Sequence, residues 1–109
     1  MVSKFNVGAL DIRIVREIAP PTVSDYFTVE IDGHTSRAPK TIIFGARNVE
    51  ALSVCYDGND SIDINFKSAD INQYHNYYYA ALKDGIKRFG IELHKGSHES
   101  SLRCIGMNR

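Results

Sequence analysis

Two short runs of alternating apolar residues around a polar turn constrain this chain more than any other feature. In EALSVCY, Leu52, Val54 and Tyr56 share one side; in SIDINF, Ile62, Ile64 and Phe66 do the same. Successive side chains of a strand point to opposite faces, so each run suits a half-buried strand. The intervening DGND is made of residues that accept turn backbones. A β-hairpin is therefore expected across Leu52–Phe66.

Alternation recurs elsewhere. YFTVEID places Phe27, Val29 and Ile31 on one face and reads as a strand ending at Asp32-Gly33. Between Lys4 and Ile18 the parity changes: Phe5 and Val7 are odd, whereas Leu10, Ile12 and Ile14 are even. A one-residue slip turns every side chain to the other face, which predicts a strand with a bulge or bend at Gly8-Ala9. APPTVS then interrupts the sheet, because proline donates no ladder hydrogen bond. HTSRAPK reads as a polar loop and TIIF as a short strand stopped by Gly45. IEL and SLRCIGM predict two short final strands, separated by the polar loop HKGSHESS.

Beyond Ser68 the apolar spacing resembles 3.6 rather than 2. Placed at helical steps, Ile71, Tyr74, Tyr78, Ala81, Leu82, Ile86 and Phe89 fall within an arc of roughly 160°. This predicts a helix over about 69–89, capped by Ser68 or Asp70 and closed by Gly90 in a left-handed conformation. On that cylinder Tyr74 and Tyr78 face the sheet, Tyr79 lies at the edge of the stripe and Tyr77 points outward. The expected fold class is α+β, a single domain spanning 1–109. A largely antiparallel sheet of about five to seven strands would carry this one long amphipathic helix on one face.

The 109 residues suit one core, with 43% apolar and 24% charged side chains in the ordinary globular range. Thirteen basic and thirteen acidic side chains cancel, so no whole-molecule field draws the chain to nucleic acid or anionic lipid. No apolar run approaches the ~18 residues of a membrane span, and the first residues lack the apolar core of a secretory signal. The two cysteines, Cys55 and Cys104, have no metal-binding spacing and are expected as reduced thiols of a cytoplasmic protein.

Few residues suggest chemistry. His75 falls near the apolar arc and reads as a buried, hydrogen-bonded histidine. ELHKGSHE brings His94 and His98 together with Glu92 and Glu99, but Gly96 favours a loop over the helix that zinc ligands four apart require. DGNDSID offers oxygen ligands yet departs from a calcium loop, with Ile62 where glycine is needed and Ser68 where glutamate belongs. No phosphate-binding loop or nucleophile motif is present. Neither a catalytic residue, a metal nor a cofactor is expected.

Charge is unevenly placed. Glu50, Asp57, Asp60 and Asp63 mark an acidic hairpin, whereas Lys83, Lys87, Arg88, Lys95, Arg103 and Arg109 enrich the C-terminal third in positive charge. The leading expectation is a small non-catalytic protein-binding module, such as an inhibitor or regulatory adaptor encoded by a phage or bacterium. Its partner-binding residues would be Tyr77, Lys83, Lys87, Arg37, Lys40, Asp57, Asp60 and Asp63. Sheet-edge pairing would also allow a homodimer. The alternative is a nucleic-acid binder using Lys83, Lys87, Arg37 and Lys40, with Tyr77 stacking on a base. A third reading, a small enzyme, requires a pocket joining His75 or His94 to a carboxylate.

Overall fold

The computed structural model describes residues 2–7, 10–33, 40–56, 60–82, 85–96 and 103–107. Within them the chain forms ten strands: β1 (Val2–Val7), β2 (Leu10–Glu17), β3 (Tyr26–Gly33), β4 (Thr41–Glu50) and β5 (Leu52–Tyr56), then β6 (Ser61–Phe66), β7 (Ser68–Tyr74), β8 (Tyr77–Leu82), β9 (Gly85–Lys95) and β10 (Arg103–Met107). One five-stranded sheet has the order β1-β2-β3-β4-β7, and a second has the order β10-β5-β6-β9-β8. All neighbours pair antiparallel except β6 and β9, which run parallel.

The expected helix is absent: Ser68–Tyr74 and Tyr77–Leu82 are strands, and Gly85–Lys95 is a third. The described residues are all-β, which overturns the α+β expectation. The apolar spacing that mimics a helix arises from two strands joined at a corner. His75 and Asn76 carry the chain from the edge of the first sheet to the edge of the second. That junction offsets the two alternations, so the helical spacing is a coincidence of mixed faces: Tyr78 and Phe89 are buried, whereas Ile71, Ile86 and, contrary to expectation, Tyr74 are exposed. Residue type already favoured strands here, since tyrosine and isoleucine pack well on a pleated surface and are weak helix formers. Gly85 adopts φ +125°, which no helix accommodates, and leads into β9. Gly90 closes no helix; it sits within β9, opposite Tyr77 and Ser61.

Other boundaries shift for similar reasons. The parity change near Gly8-Ala9 marks a reversal of the chain: β1 and β2 form an antiparallel hairpin in which Val7 pairs with Leu10. Gly45 does not stop the strand that begins at Thr41, and β4 continues to Glu50. A bulge opposite Val29 and Glu30 inserts Ile43 as an extra residue, so Ile43 and Phe44 are both buried. The 52–66 hairpin forms as expected, with Val54 opposite Ile64 and Tyr56 opposite Ile62.

The two sheets share one core. Leu10, Ile12 and Ile14 of β2, Val29 and Ile31 of β3, and Phe44 of β4 meet Val54, Ile62, Ile64, Tyr78, Phe89 and Ile91 of the second sheet. The chain passes from the first sheet to the second at Asn48–Ala51, where Asn48 (φ 53°) and Ala51 (φ 57°) take left-handed backbones. It returns at Lys67, whose N–H donates to the Glu50 carbonyl at 2.9 Å.

The thiol expectation is also corrected. Cys55 and Cys104 are register partners on β5 and β10, with Cα atoms 4.0 Å apart, and their sulfurs form a disulfide. Sequence spacing could not show this, because the partners come together only when β10 docks beside β5. The bond ties an edge strand across a separation of 49 residues.

Candidate functional site

The outward face of the second sheet carries the most unusual set of side chains. Alternation along β9 sends Phe89 and Ile91 into the core and Ile86, Arg88, Glu92 and His94 to the outside. The register adds Tyr77 and Tyr79 from β8, and Asp63 and Asn65 from β6, to the same face. β8 is the terminal strand of its sheet, with β9 as its one hydrogen-bonded neighbour among the described strands.

At the β8 side this face is aromatic and apolar. Tyr77 is 46% exposed, Tyr79 55% and Ile86 76%, whereas Tyr78 between them is 5% exposed and packs in the core. The Tyr77 and Tyr79 rings meet edge to face with centroids 5.2 Å apart. The Arg88 guanidinium lies 5.5 Å from the Tyr77 ring centre, a cation–π contact. Three large apolar side chains facing solvent around a stacked arginine are the residue types that anchor protein interfaces.

Toward the middle of the sheet the face becomes polar. Asp63 and Glu92 are directly opposed on β6 and β9, as are Asn65 and His94 two residues further on. The His94 Nε2 lies 3.4 Å from Asp63 Oδ1 and 3.6 Å from Glu92 Oε1. Asn65 is 3% exposed; its Nδ2 donates to Ser53 Oγ and Cys55 Sγ of β5, each at 3.5 Å. Its Oδ1 is buried without a hydrogen-bond partner.

Two tyrosine hydroxyls are perturbed near this site. Burial, with a smaller contribution from the Asp32 carboxylate, raises the pKa of Tyr78, whose hydroxyl also lacks a partner. Burial and then Glu92 raise that of Tyr74, whose hydroxyl donates to the Ile91 carbonyl.

The residues singled out from sequence do not converge on one surface. Tyr77 belongs to the aromatic patch, and Asp63 to the polar cluster beside it. Lys87 sits on β9 next to Arg88, its ammonium 5.0 Å from the Phe89 ring centre. Asp60 precedes β6 and is exposed, its carbonyl accepting from Gly90 N–H at 2.8 Å. Lys40 directly precedes β4 of the first sheet and pairs with Glu30 at 3.6 Å. Lys83, Arg37 and Asp57, with His98 and Glu99, lie outside the described residues.

His75 is exposed at the corner between β7 and β8, contrary to the buried reading. His94 does meet carboxylates, but on an open sheet face. Elsewhere a shallow depression at the 18–25 segment, lined by Ile18, Pro20, Val23, Tyr26 and Arg47 among others, brings in no histidine. Sequence reading passed over Tyr79, Ile86 and Arg88 as parts of a helix. The two-residue spacing of Tyr77 and Tyr79, and of Ile86 and Arg88, was the available signal.

No protein-family model matches the chain, and neither a curated protein nor a solved structure does. The geometry of this face is the ground on which a function can be argued.

Proposed function

We propose that the chain is a non-catalytic protein-binding module that recognises its partner through the outer face of β8 and β9. The observation carrying this reading is the exposure of Tyr77, Tyr79 and Ile86 on an edge strand, with Arg88 stacked among them. Such a surface suits an extended segment of another protein. Its backbone would pair with β8, its apolar side chains would cover the two tyrosines, and its acidic residues would face Arg88.

The cytoplasmic location expected from the sequence sits poorly with the Cys55–Cys104 bond. Glutathione and thioredoxin keep most cytosolic thiols reduced, so the module belongs in an oxidising compartment. No helix among the described residues is long and apolar enough to cross a membrane.

The test places a photo-crosslinking phenylalanine analogue at position 79 and, as a control, at the exposed Ile18 just after β2. The expected result is a discrete protein adduct from position 79, none from position 18, and loss of the adduct in Arg88→Glu. A nuclease-sensitive adduct would favour the stacking of a single-stranded nucleic acid on the tyrosines. An adduct between two copies of the chain would mean edge-to-edge dimerisation. Either result, or equal labelling at both positions, contradicts the proposal.

A further inference from the structure

The polar cluster on β6 and β9 has features that an ordinary ion pair does not explain. Asp63 and Glu92 are directly opposed across neighbouring strands. Like charges in that position repel, and the sheet tolerates them best when a cation lies between. Both carboxylates converge on one nitrogen, His94 Nε2, at 3.4 and 3.6 Å. A tetrahedral zinc ion with nitrogen and oxygen ligands at 2.0–2.2 Å holds its donors roughly 3.3–3.6 Å apart. Two edges of such a tetrahedron are thus already set. All three ligand atoms lie within 4.8 Å of one another. Closing the remaining edge falls to Glu92, whose side chain is 63% exposed and has room to turn.

A second, independent observation points the same way. Asn65 stands beside Asp63 on β6 and opposite His94 on β9. Its Nδ2 is turned toward Ser53 and Cys55 on β5. With Nδ2 turned to β5, the planar amide holds Oδ1 away from that strand, and this buried oxygen has no hydrogen-bond partner. A buried acceptor left unsatisfied costs about 1–3 kcal/mol, and a metal ion or a metal-bound water would satisfy it.

We propose that Asp63, Glu92 and His94 bind one Zn²⁺ ion on the outer face of the second sheet. Asn65 Oδ1 completes the site, either as the fourth ligand or by accepting from a zinc-bound water. One imidazole and two carboxylates form the borderline donor set that suits zinc better than magnesium or calcium, which take all-oxygen sites. The two positive charges of the ion balance the two carboxylates. The ion would clip β6 to β9, the parallel pair that no hairpin connects.

The test is calorimetric titration of Zn²⁺ into the full chain after chelator treatment, with the disulfide left intact. The expected result is saturable binding of one zinc per chain, with Mg²⁺ producing no comparable heat. Affinity should fall at least tenfold in His94→Ala and in Glu92→Gln, and by roughly tenfold or more in Asn65→Ala. It should be unchanged in His75→Ala. Asp63 is mostly buried, and its replacement risks the fold; the exposed Glu92→Gln keeps the test decisive, with circular dichroism confirming that each variant is folded. Absence of saturable binding, or an affinity in Glu92→Gln or His94→Ala unchanged from that of the parent protein, overturns the proposal.

Discussion

Replacing Cys55 and Cys104 together by alanine removes the covalent tie between β5 and the edge strand β10. In the chain-entropy description, a cross-link stabilises a protein by limiting the unfolded ensemble, and the effect grows with the logarithm of the loop it closes. For the separation of 49 residues found here, that relation gives about 4 kcal/mol at 25 °C. This is an upper value, because a denatured chain retains some compactness and β10 keeps its backbone pairing to β5 without the bond. Cys55 is buried, so alanine also leaves a small void, whereas reduction does not. Urea unfolding of the oxidised protein, the reduced protein and the double variant separates the two contributions. With a urea slope of about 1–1.5 kcal/mol/M for a chain this size, a loss of about 2–4 kcal/mol moves the midpoint down by about 1.3–4 M. Reduced and variant proteins should shift almost equally. Coincident curves with and without reductant, or two titratable thiols in the native protein, would refute the reasoning.

The Tyr78 hydroxyl is buried without a hydrogen-bond partner, so Tyr78→Phe should raise stability by about 1 kcal/mol at neutral pH. Because the folded-state pKa of Tyr78 is raised above 10.0, the neutral form supports folding below that pH, and this support is lost as pH rises further. The variant's advantage should therefore widen above pH 10; a less stable variant would show that the hydroxyl is satisfied. Asp25 anchors the 18–25 segment by accepting from Ala19 N–H at 2.8 Å and from Arg16 at 2.6 Å. The backbone donor first, and then Arg16, hold its pKa below 3.8, so its contribution is present above that value and disappears as pH falls below it. Asp25→Asn should lower the urea midpoint near pH 7 and converge with the parent protein in acid; a constant offset across pH would contradict this.

The strands that face core on one side and solvent on the other were legible residue by residue. Val54 opposite Ile64 and the inward set Phe27, Val29 and Ile31 follow from alternation alone. Three features depend on long-range contacts that periodicity does not encode. The first is the corner at His75-Asn76, which shifts the alternation and gives Tyr74 and Tyr78 a helical spacing. The second is the parallel pairing of β6 with β9, which brings Asp63 to Glu92 and His94. The third is the docking of β10, which brings Cys104 to Cys55. Of the candidate site, Tyr77 was visible as an outward aromatic residue, but Tyr79, Ile86 and Arg88 join it only once the segment is extended.

The alternation Tyr77 out, Tyr78 in, Tyr79 out underlies both the core and the recognition surface, and one nuclear Overhauser experiment tests it. Ile91 N–H donates to the Asn76 carbonyl at 2.9 Å, which makes Tyr77–Gly90, and two residues on Tyr79–Arg88, pairs without mutual hydrogen bonds. In such pairs the α-protons face each other across the strands. A strong cross-peak between the Tyr79 and Arg88 α-protons is the expected result. Its absence, with contacts from the Tyr74 α-proton to the Tyr77 β-protons in its place, would restore the helix and contradict both the fold and the proposed surface.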